Sequence, residues 1–184
     1  SDTLDLLLLH RPDPLMEPEE VAEAFSILRG YGKVRYFGVS NHSASQIALL
    51  QSALDVPLVV NQVEFSLLDR SIERNGVLET AKELGVTIIA YTPLASGLLS
   101  GKYHRNPELL KGKFIYWRAK MQRGLQKSRS LVQALEEIGT KHNATPAQVA
   151  LNWVIHFHGD IVVTIPGATS PRQAQENAAT MKFK

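Results

Sequence analysis

The sequence predicts an α/β protein built on a parallel sheet, and three observations predict it. Short apolar runs alternate with segments whose apolar residues recur at helical spacing, from one end of the chain to the other, as successive βαβ units require. The first run, residues 4–10, is nearly all apolar, as a strand buried on both faces should be. Each run ends on polar or aromatic residues, the pattern expected where a parallel sheet carries its chemistry at the C-terminal ends of its strands.

After the strand at 4–10, a helix opens at Glu17-Pro18-Glu19-Glu20 and carries Val21, Ala24, Phe25 and Leu28 on one face. Proline and acidic residues suit the first turn of a helix, and Gly30 and Gly32 suit its end. The alternation continues with a strand at 34–39, a helix at 45–54, a strand at 58–63, a helix at about 72–84 and a strand at 86–91. Beyond Tyr91 comes a long stretch punctuated by Pro93, Gly97, Gly101, Pro107 and Gly112, read as an irregular functional or mobile loop. Helical spacing returns at 130–142, and again after Thr145, an N-cap with Pro146 in the first helical position. A fifth strand at 161–165 leads through Pro166-Gly167 to a last helix starting near Ser170-Pro171.

Units of about thirty residues have the spacing of a (β/α)8 barrel, which needs eight strands over roughly 250 residues. The expectation is therefore a partial TIM barrel of about five parallel βα units. With 184 residues, 44% of them hydrophobic, the chain can bury one sizeable core, so residues 1–184 are read as a single domain.

Composition narrows the function classes. Twenty basic residues against 18 acidic ones, largely scattered, leave no electrostatic footprint for nucleic acid. The looser basic cluster at Lys111, Lys113, Arg118, Lys120 and Arg123, interleaved with Phe114, Tyr116 and Trp117, is read as a solvated mobile loop. With no cysteine there is neither a disulfide framework nor a thiolate metal site. His104, His142, His156 and His158 have no partner at ligand spacing, so no metal is expected. The N-terminal residues Ser1 to Asp5 show no basic leader, and the apolar run at 6–9 is far too short to span a bilayer; a soluble, cytoplasmic protein without membrane contact is expected.

The strand ends read His10-Arg11-Pro12-Asp13, Ser40-Asn41-His42, Asn61-Gln62-Val63-Glu64, Tyr91-Thr92-Pro93-Leu94 and Ile165-Pro166-Gly167-Ala168-Thr169. With the surrounding segments LDLLLLHRPDP (4–14), GKVRYFGVSN (32–41), VNQVEFSLLDR (60–70), GVTIIAYTPLASGLLSGKY (85–103) and IPGATSPRQAQEN (165–177), the chain resembles the aldo-keto reductase family over essentially its full length. All five segments occur in family order and spacing, and they correspond to strands 4 to 8 of that family's barrel. The resemblance implies an NAD(P)H-dependent oxidoreductase that reduces aldehydes or ketones to alcohols by hydride transfer.

Residue roles follow from the same resemblance. His10 matches the histidine of the family's Asp-Tyr-Lys-His tetrad, which hydrogen-bonds and polarises the substrate carbonyl. On spacing alone, a buried strand-end histidine bonded to a backbone carbonyl is the favoured reading, and the motif turns the balance to the functional one. Ser40, Asn41 and Gln62 match positions that hold the nicotinamide carboxamide, where strand-end capping is the plainer alternative for such residues. Tyr91 matches the aromatic on which the nicotinamide stacks. Pro93, Leu94, Ser96, Gly97 and Leu98 with Lys102 resemble the loop over the pyrophosphate, glycine allowing close approach and lysine supplying a point charge. Gly167, Thr169, Gln173, Glu176 and Asn177 match the adenosine end, at a helix N-terminus that favours phosphate.

The cofactor implied is NADPH. NADH stays open, because Gly167 and Gln173, with Arg172 adjacent, stand where many NADPH-specific members place lysine and arginine. The family's Asp, Tyr and Lys belong to the first three strands, so the resemblance implies that this chain holds mainly the cofactor-binding half. Five parallel strands would leave two open sheet edges, and self-association or pairing with another chain is expected there. The alternative is a non-catalytic nucleotide-binding or regulatory module resembling the potassium-channel beta subunits. Loss of Tyr and Lys favours that alternative, and His10 argues against it.

Overall fold

A computed structural model describes residues 2–111 and 114–183. Gly112 and Lys113, part of the stretch read as an irregular basic loop, lie outside the described residues. Five strands form one sheet in the order β1 (Leu4–Leu9), β2 (Val34–Ser40), β3 (Leu58–Glu64), β4 (Thr87–Tyr91) and β5 (Val162–Thr164), each beside its neighbour in sequence. Between them run α1 (Pro18–Gly30), α2 (Ala44–Ala53) and α3 (Val77–Leu84). The short α4 (Lys102–Arg105), α5 (Ile115–His142) and α6 (Pro146–His156) separate β4 from β5, and α7 (Pro171–Ala178) follows β5. Sequential neighbours with helical crossovers are what the alternation of apolar runs and helical spacing predicts.

The chain divides into two compact units. The first comprises residues 1–64, 70–90 and 161–163 and contains most of the sheet. Here β1 pairs parallel with β2 in the register Leu4↔Val34 to Leu9↔Val39, and β2 pairs parallel with β3, ending at Ser40↔Gln62. A register shift at Phe37/Gly38 brings the strands close at Gly38, where a Cβ would sit 2.4 Å from Val60 Cγ2 and 2.8 Å from the Val60 carbonyl oxygen. Only glycine fits that approach. Phe25 of α1 stacks on Phe37 at 4.2 Å between ring centroids, and Val39, Ile47, Leu50, Leu58, Ala81 and Ile88 are buried around them. Each large apolar side chain removed from water there stabilises the unit by roughly 1.5–3 kcal/mol.

β1 departs from expectation: Leu4 is 54% exposed and the leucines at 6 to 9 are only half-buried, rather than covered on both faces. As an outer strand of the sheet it has a neighbour on one side only. The helix expected at 72–84 is also shorter. A 3-10 turn at Ser71–Glu73 is followed by Gly76 at φ 84, and α3 begins only at Val77. Glycine in that left-handed conformation separates the two pieces.

The second unit comprises residues 65–69, 91–160 and 164–184. Its larger correction concerns residues 115–129, read from sequence as loop but forming the first half of the 28-residue α5. Trp117, Met121 and Leu125, four residues apart, face the cluster of Leu98, Tyr103 and Leu110, and Ser128, Val132 and Leu135 continue the buried stripe. The basic residues Arg118, Lys120 and Arg123 occupy the exposed face of this helix, so they are not part of a loop. A second cluster joins Leu99, Leu135, Val149 and Ala150 and fixes the β4-to-α4 segment against α5 and α6. Among the described residues no helix is long and apolar enough to cross a membrane.

Candidate cofactor cleft and strand-end site

In the first unit the parallel register sets three of the expected residues side by side. Leu9 lies opposite Val39, which places His10 level with Ser40, and Ser40 lies opposite Gln62. Neighbouring strands stand about 4.8 Å apart, so the three residues cross the C-terminal ends of β1, β2 and β3 in a row. His10 is exposed. Ser40 is buried, and its hydroxyl donates to the Gln62 carbonyl at 2.9 Å, the same oxygen that accepts from the Asn41 backbone N–H at 2.9 Å. Asn41 turns the chain out of the strand with φ 59, a left-handed conformation that asparagine tolerates better than most residues, and its Nδ2 donates to Ser40 Oγ at 3.0 Å. The Ser40 and Asn41 side chains and the Gln62 backbone carbonyl are thereby tied into one polar strand end.

Behind that turn lies His42, fully buried, with Nδ1 3.0 Å from the Ser40 carbonyl. A carbonyl only accepts, so Nδ1 carries the proton. Burial pushes the imidazole below the ordinary histidine range, against the opposing effect of this hydrogen bond.

In the second unit the segment after β4 is unusual in its backbone. Thr92, Ala95 and Ser96 have φ values of 54, 48 and 55, and Gly97 and Gly101 have 90 and 75. Three non-glycine residues in the left-handed region within five positions form a segment held only because its surroundings determine it. Hydrogen bonds from Ala95 N to Thr92 O and from Gly97 N to Leu94 O, each 2.9 Å, close the turns. Ser100 Oγ adds a donor to Gly97 O at 2.8 Å. A Cβ on Gly97 would approach Lys102 Cε to 3.0 Å, so glycine lets the lysine lie over the loop with its ammonium 4.7 Å from the centre of the Tyr103 ring.

This loop forms one wall of a cleft of about 700 Å³, a size usual for ligand sites. Pro93, Leu94, Ser96, Gly97 and Lys102 line it from that loop, and Gly167, Thr169, Gln173, Glu176 and Asn177 line it from the segment after β5. Two helix N-termini contribute. Thr145, which caps α6 by accepting from Gln148 N, lies with Ala147 on the cleft, and α7 opens at Ser170, whose hydroxyl accepts from Gln173 N at 3.3 Å. Backbone N–H groups and dipole at such ends favour anions. Gln173 Oε1 accepts from Thr169 N at 2.7 Å and from Thr169 Oγ1 at 3.0 Å, and Asn177 Nδ2 donates to Gly167 O at 3.5 Å, so the Gly-Ala-Thr turn is held against α7.

The structure thus gathers both halves of the expected phosphate and adenosine contacts into one cleft. Of the expected cofactor contacts within this unit, two lie elsewhere. Leu98 is buried in the apolar cluster with Tyr103 and Met121, and Tyr91, the half-buried last residue of β4, does not line the cleft. Sequence reading missed Arg105, Ser100 and Thr145 as lining residues. Arg105 could have been found from its place three residues after Lys102 in the same helical turn; it pairs with Glu136 at 2.6 Å and also donates to Ser100 O. Thr145 was legible as a cap but not as a wall. Arg172, also on the cleft, lies 3.3 Å from Glu176. Next to Lys102, His104 bonds Ser128 Oγ at 3.1 Å, and that hydroxyl donates to Gly124 O at 2.7 Å, so His104 Nε2 is the donor. Among the described residues no three His, Cys, Asp or Glu side chains form a group that could hold a metal.

A lysine-bearing loop after β4 and the first turn of α7 thus line one cleft. The sequence model described as "Aldo/keto reductase family" matches residues 1–184, and the chain belongs to that family. It is 37% identical to aldo-keto reductase str7 of Strobilurus tenacellus over all of this chain and 54% of that protein. With aldo-keto reductase yakc [NADP(+)] of Schizosaccharomyces pombe it shares 33% identity over the same proportions, 100% and 54%. The crystal structure of the thermostable aldo-keto reductase Tm1743 with the inhibitor epalrestat superposes with a TM-score of 0.78 at 32% identity, over 100% of this chain and 56% of that one. The chain therefore spans about half the length of the curated relatives it matches. Its parallel five-stranded sheet with intervening helices is the α/β fold of the TIM-barrel aldo-keto reductases.

Proposed function

We propose that the protein is an NADPH-dependent reductase of small aldehydes or ketones, and that these 184 residues hold mainly the cofactor-binding part of its site. The observation that carries this reading is the cleft of the second unit, where Lys102, Arg105 and two helix N-termini meet between walls made by the loop after β4 and the turn before α7. The donor set fits a dinucleotide: cations and backbone N–H groups for a pyrophosphate, and a polar Gln173, Glu176 and Asn177 wall for a nucleoside. The loop fits it too, since Gly97 is free of a Cβ where Lys102 has to lie close.

In this reading Lys102 and the loop amides bind the pyrophosphate, Arg172 and the α7 end meet the adenosine, and Tyr91 offers its ring as a stacking surface. Ser40, Asn41 and Gln62 orient a carboxamide so that one ring face is presented. A bound reduced nicotinamide supplies hydride to a carbonyl carbon. His10 holds a hydrogen bond to the carbonyl oxygen and so favours the charge that develops there. The name of the fission-yeast relative, which includes NADP(+), supports the phosphorylated cofactor; Gly167 and Gln173 keep NADH within the proposal. Both units are read as parts of one family domain, and the absence of cysteine supports a cytoplasmic location.

The test is a titration of NADPH into the full polypeptide, followed through the fluorescence of Trp117 and Trp153, with absorbance of the reduced nicotinamide recorded on adding small aldehydes. Saturable binding and cofactor oxidation are expected. Lys102→Met should weaken NADPH and NADH alike, by about ten-fold or more, because the pyrophosphate is common to both. Absence of saturable binding, or full affinity in Lys102→Met, would sink the assignment of the cleft.

A further inference from the structure

We infer that His42 is a positioning residue for the cofactor's carboxamide: through Nδ1 it fixes the Ser40 carbonyl and with it the left-handed turn at Asn41. The inference rests on the reading of Ser40, Asn41 and Gln62 as carboxamide contacts. It assigns a role to a residue that does not itself line the site.

The geometry behind it is a closed set of hydrogen bonds at the end of β2. Ser40 is held twice, by its hydroxyl to the Gln62 carbonyl at 2.9 Å and by its own carbonyl to His42 Nδ1 at 3.0 Å. Asn41 is held by its N–H to Gln62 O and by Nδ2 to Ser40 Oγ. His42 is anchored in turn, because buried Asn61 donates from Nδ2 to the His42 carbonyl at 3.1 Å. Three consecutive residues, two of them carboxamide contacts, are thus clamped between β2 and β3.

Burial alone does not call for a histidine at this position. Its ring is 1% exposed, and Nε2 has no hydrogen-bond partner among the described residues. A buried polar nitrogen without a partner disfavours folding, so an apolar ring of similar size would fill the position at least as well. What such a ring lacks is the Nδ1 proton that holds Ser40. That contact fixes the φ 59 turn at Asn41, a conformation that must be maintained by its surroundings. The polar ring therefore serves the orientation of the strand end rather than the core.

The inference separates affinity from stability. In the full polypeptide, His42→Phe keeps the ring and removes the donor, whereas His42→Asn replaces the donor at nearly the same place and removes the ring. Two ligands are titrated: NADPH, and adenosine 2′,5′-bisphosphate, which lacks the nicotinamide. His42→Phe is expected to weaken NADPH about five- to ten-fold, to leave adenosine 2′,5′-bisphosphate unchanged and to melt no lower than the parent. His42→Asn is expected to regain most of the NADPH affinity even if it melts lower. Equal losses for both ligands, or unchanged NADPH affinity in His42→Phe, would overturn the positioning role. Asn41→Ala serves as the separate check on the underlying reading. If it leaves NADPH affinity intact, the carboxamide assignment fails and the inference with it; if it weakens NADPH while His42→Phe does not, only the role of His42 fails.

Discussion

Replacing Gly97 by alanine isolates the part played by the loop over the cleft. The backbone there has φ 90, and the added Cβ would lie 3.0 Å from Lys102 Cε and 3.3 Å from both Lys102 Nζ and Tyr103 Cε2. Two effects are superposed: a left-handed backbone, which costs an L-residue about 1–2 kcal/mol, and a contact that pushes the lysine away. Gly159→Ala supplies the first effect alone, since Gly159 has φ 73 with nothing within 4 Å of its added Cβ. Both variants gain the same small stabilisation from a less flexible unfolded chain, which cancels in the comparison. Each should melt about 2–4 °C lower per kcal/mol lost in a protein of this size. Lys102 is exposed and can move a few tenths of an ångström at little cost, so Gly97→Ala and Gly159→Ala should agree in stability to within about 0.5 kcal/mol. They should differ in ligand binding. Displacing the ammonium misaligns the charge offered to a pyrophosphate, so NADPH affinity should fall about three- to ten-fold in Gly97→Ala and not in Gly159→Ala. Denaturant unfolding and Trp117 fluorescence titration measure the two quantities on the same samples. Equal NADPH affinity in both variants would refute the argument that the bare Cα at residue 97 exists to seat Lys102.

Two further predictions concern Gly139 of α5 and the histidines His104 and His42. Gly139→Ala would bring a Cβ to 2.4 Å from the Ala144 carbonyl oxygen, a backbone atom fixed by the turn into α6, so a loss of about 2 kcal/mol or more is expected in a denaturant titration. His104 is held below the ordinary histidine range chiefly by burial, then by the charges of Arg129 and Arg105, with the Leu125 carbonyl and Glu136 opposing. His42 is lowered in the same direction. For both, the folded state binds its proton later than the unfolded chain does on acidification, so the stability they contribute is complete above the unfolded value of 6.5 and is lost as pH falls below it. Denaturant midpoints recorded downward from neutral pH should decline in that window, and the decline should shrink in His104→Asn; an identical slope in that variant would contradict the assignment.

The strand ends were legible because parallel sheets announce themselves. Apolar runs such as LVVNQ and TIIAY stop on polar or aromatic residues, and the helix caps Thr145-Pro146 and Ser170-Pro171 are local chemistry that needs no tertiary knowledge. Residues 115–129 were not legible as helix because Arg, Lys and Gln dominate them and Gly124 interrupts them. The signal was present in the four-residue spacing of Trp117, Met121 and Leu125, but so thin an apolar stripe stays helical only because Leu98, Tyr103 and Leu110 cover it. Gly124 itself sits where a Cβ would meet Leu98 Cδ1 at 2.6 Å, so the residue that looks like a breaker lets Leu98 pack close against the helix. Thr145 was missed for a different reason: a cleft assembled from residues 92–105, 145–147 and 165–177 is a property of packing, which spacing along the chain cannot express.

The ion pairs at the cleft bear on how a ligand would be chosen. Of the three cations among its described lining residues, Arg105 lies against Glu136 and Arg172 against Glu176, while Lys102 lies over an aromatic ring. At distances beyond a Debye length such pairs nearly cancel, and a mobile anion senses little more than one positive charge. Small metabolic anions, abundant and highly charged, would find weak attraction there. A long ligand that reaches the lysine, both helix ends and the polar wall at once collects many short-range contacts together. Discrimination would then come from the length over which a molecule can make contact, and less from the charge it carries.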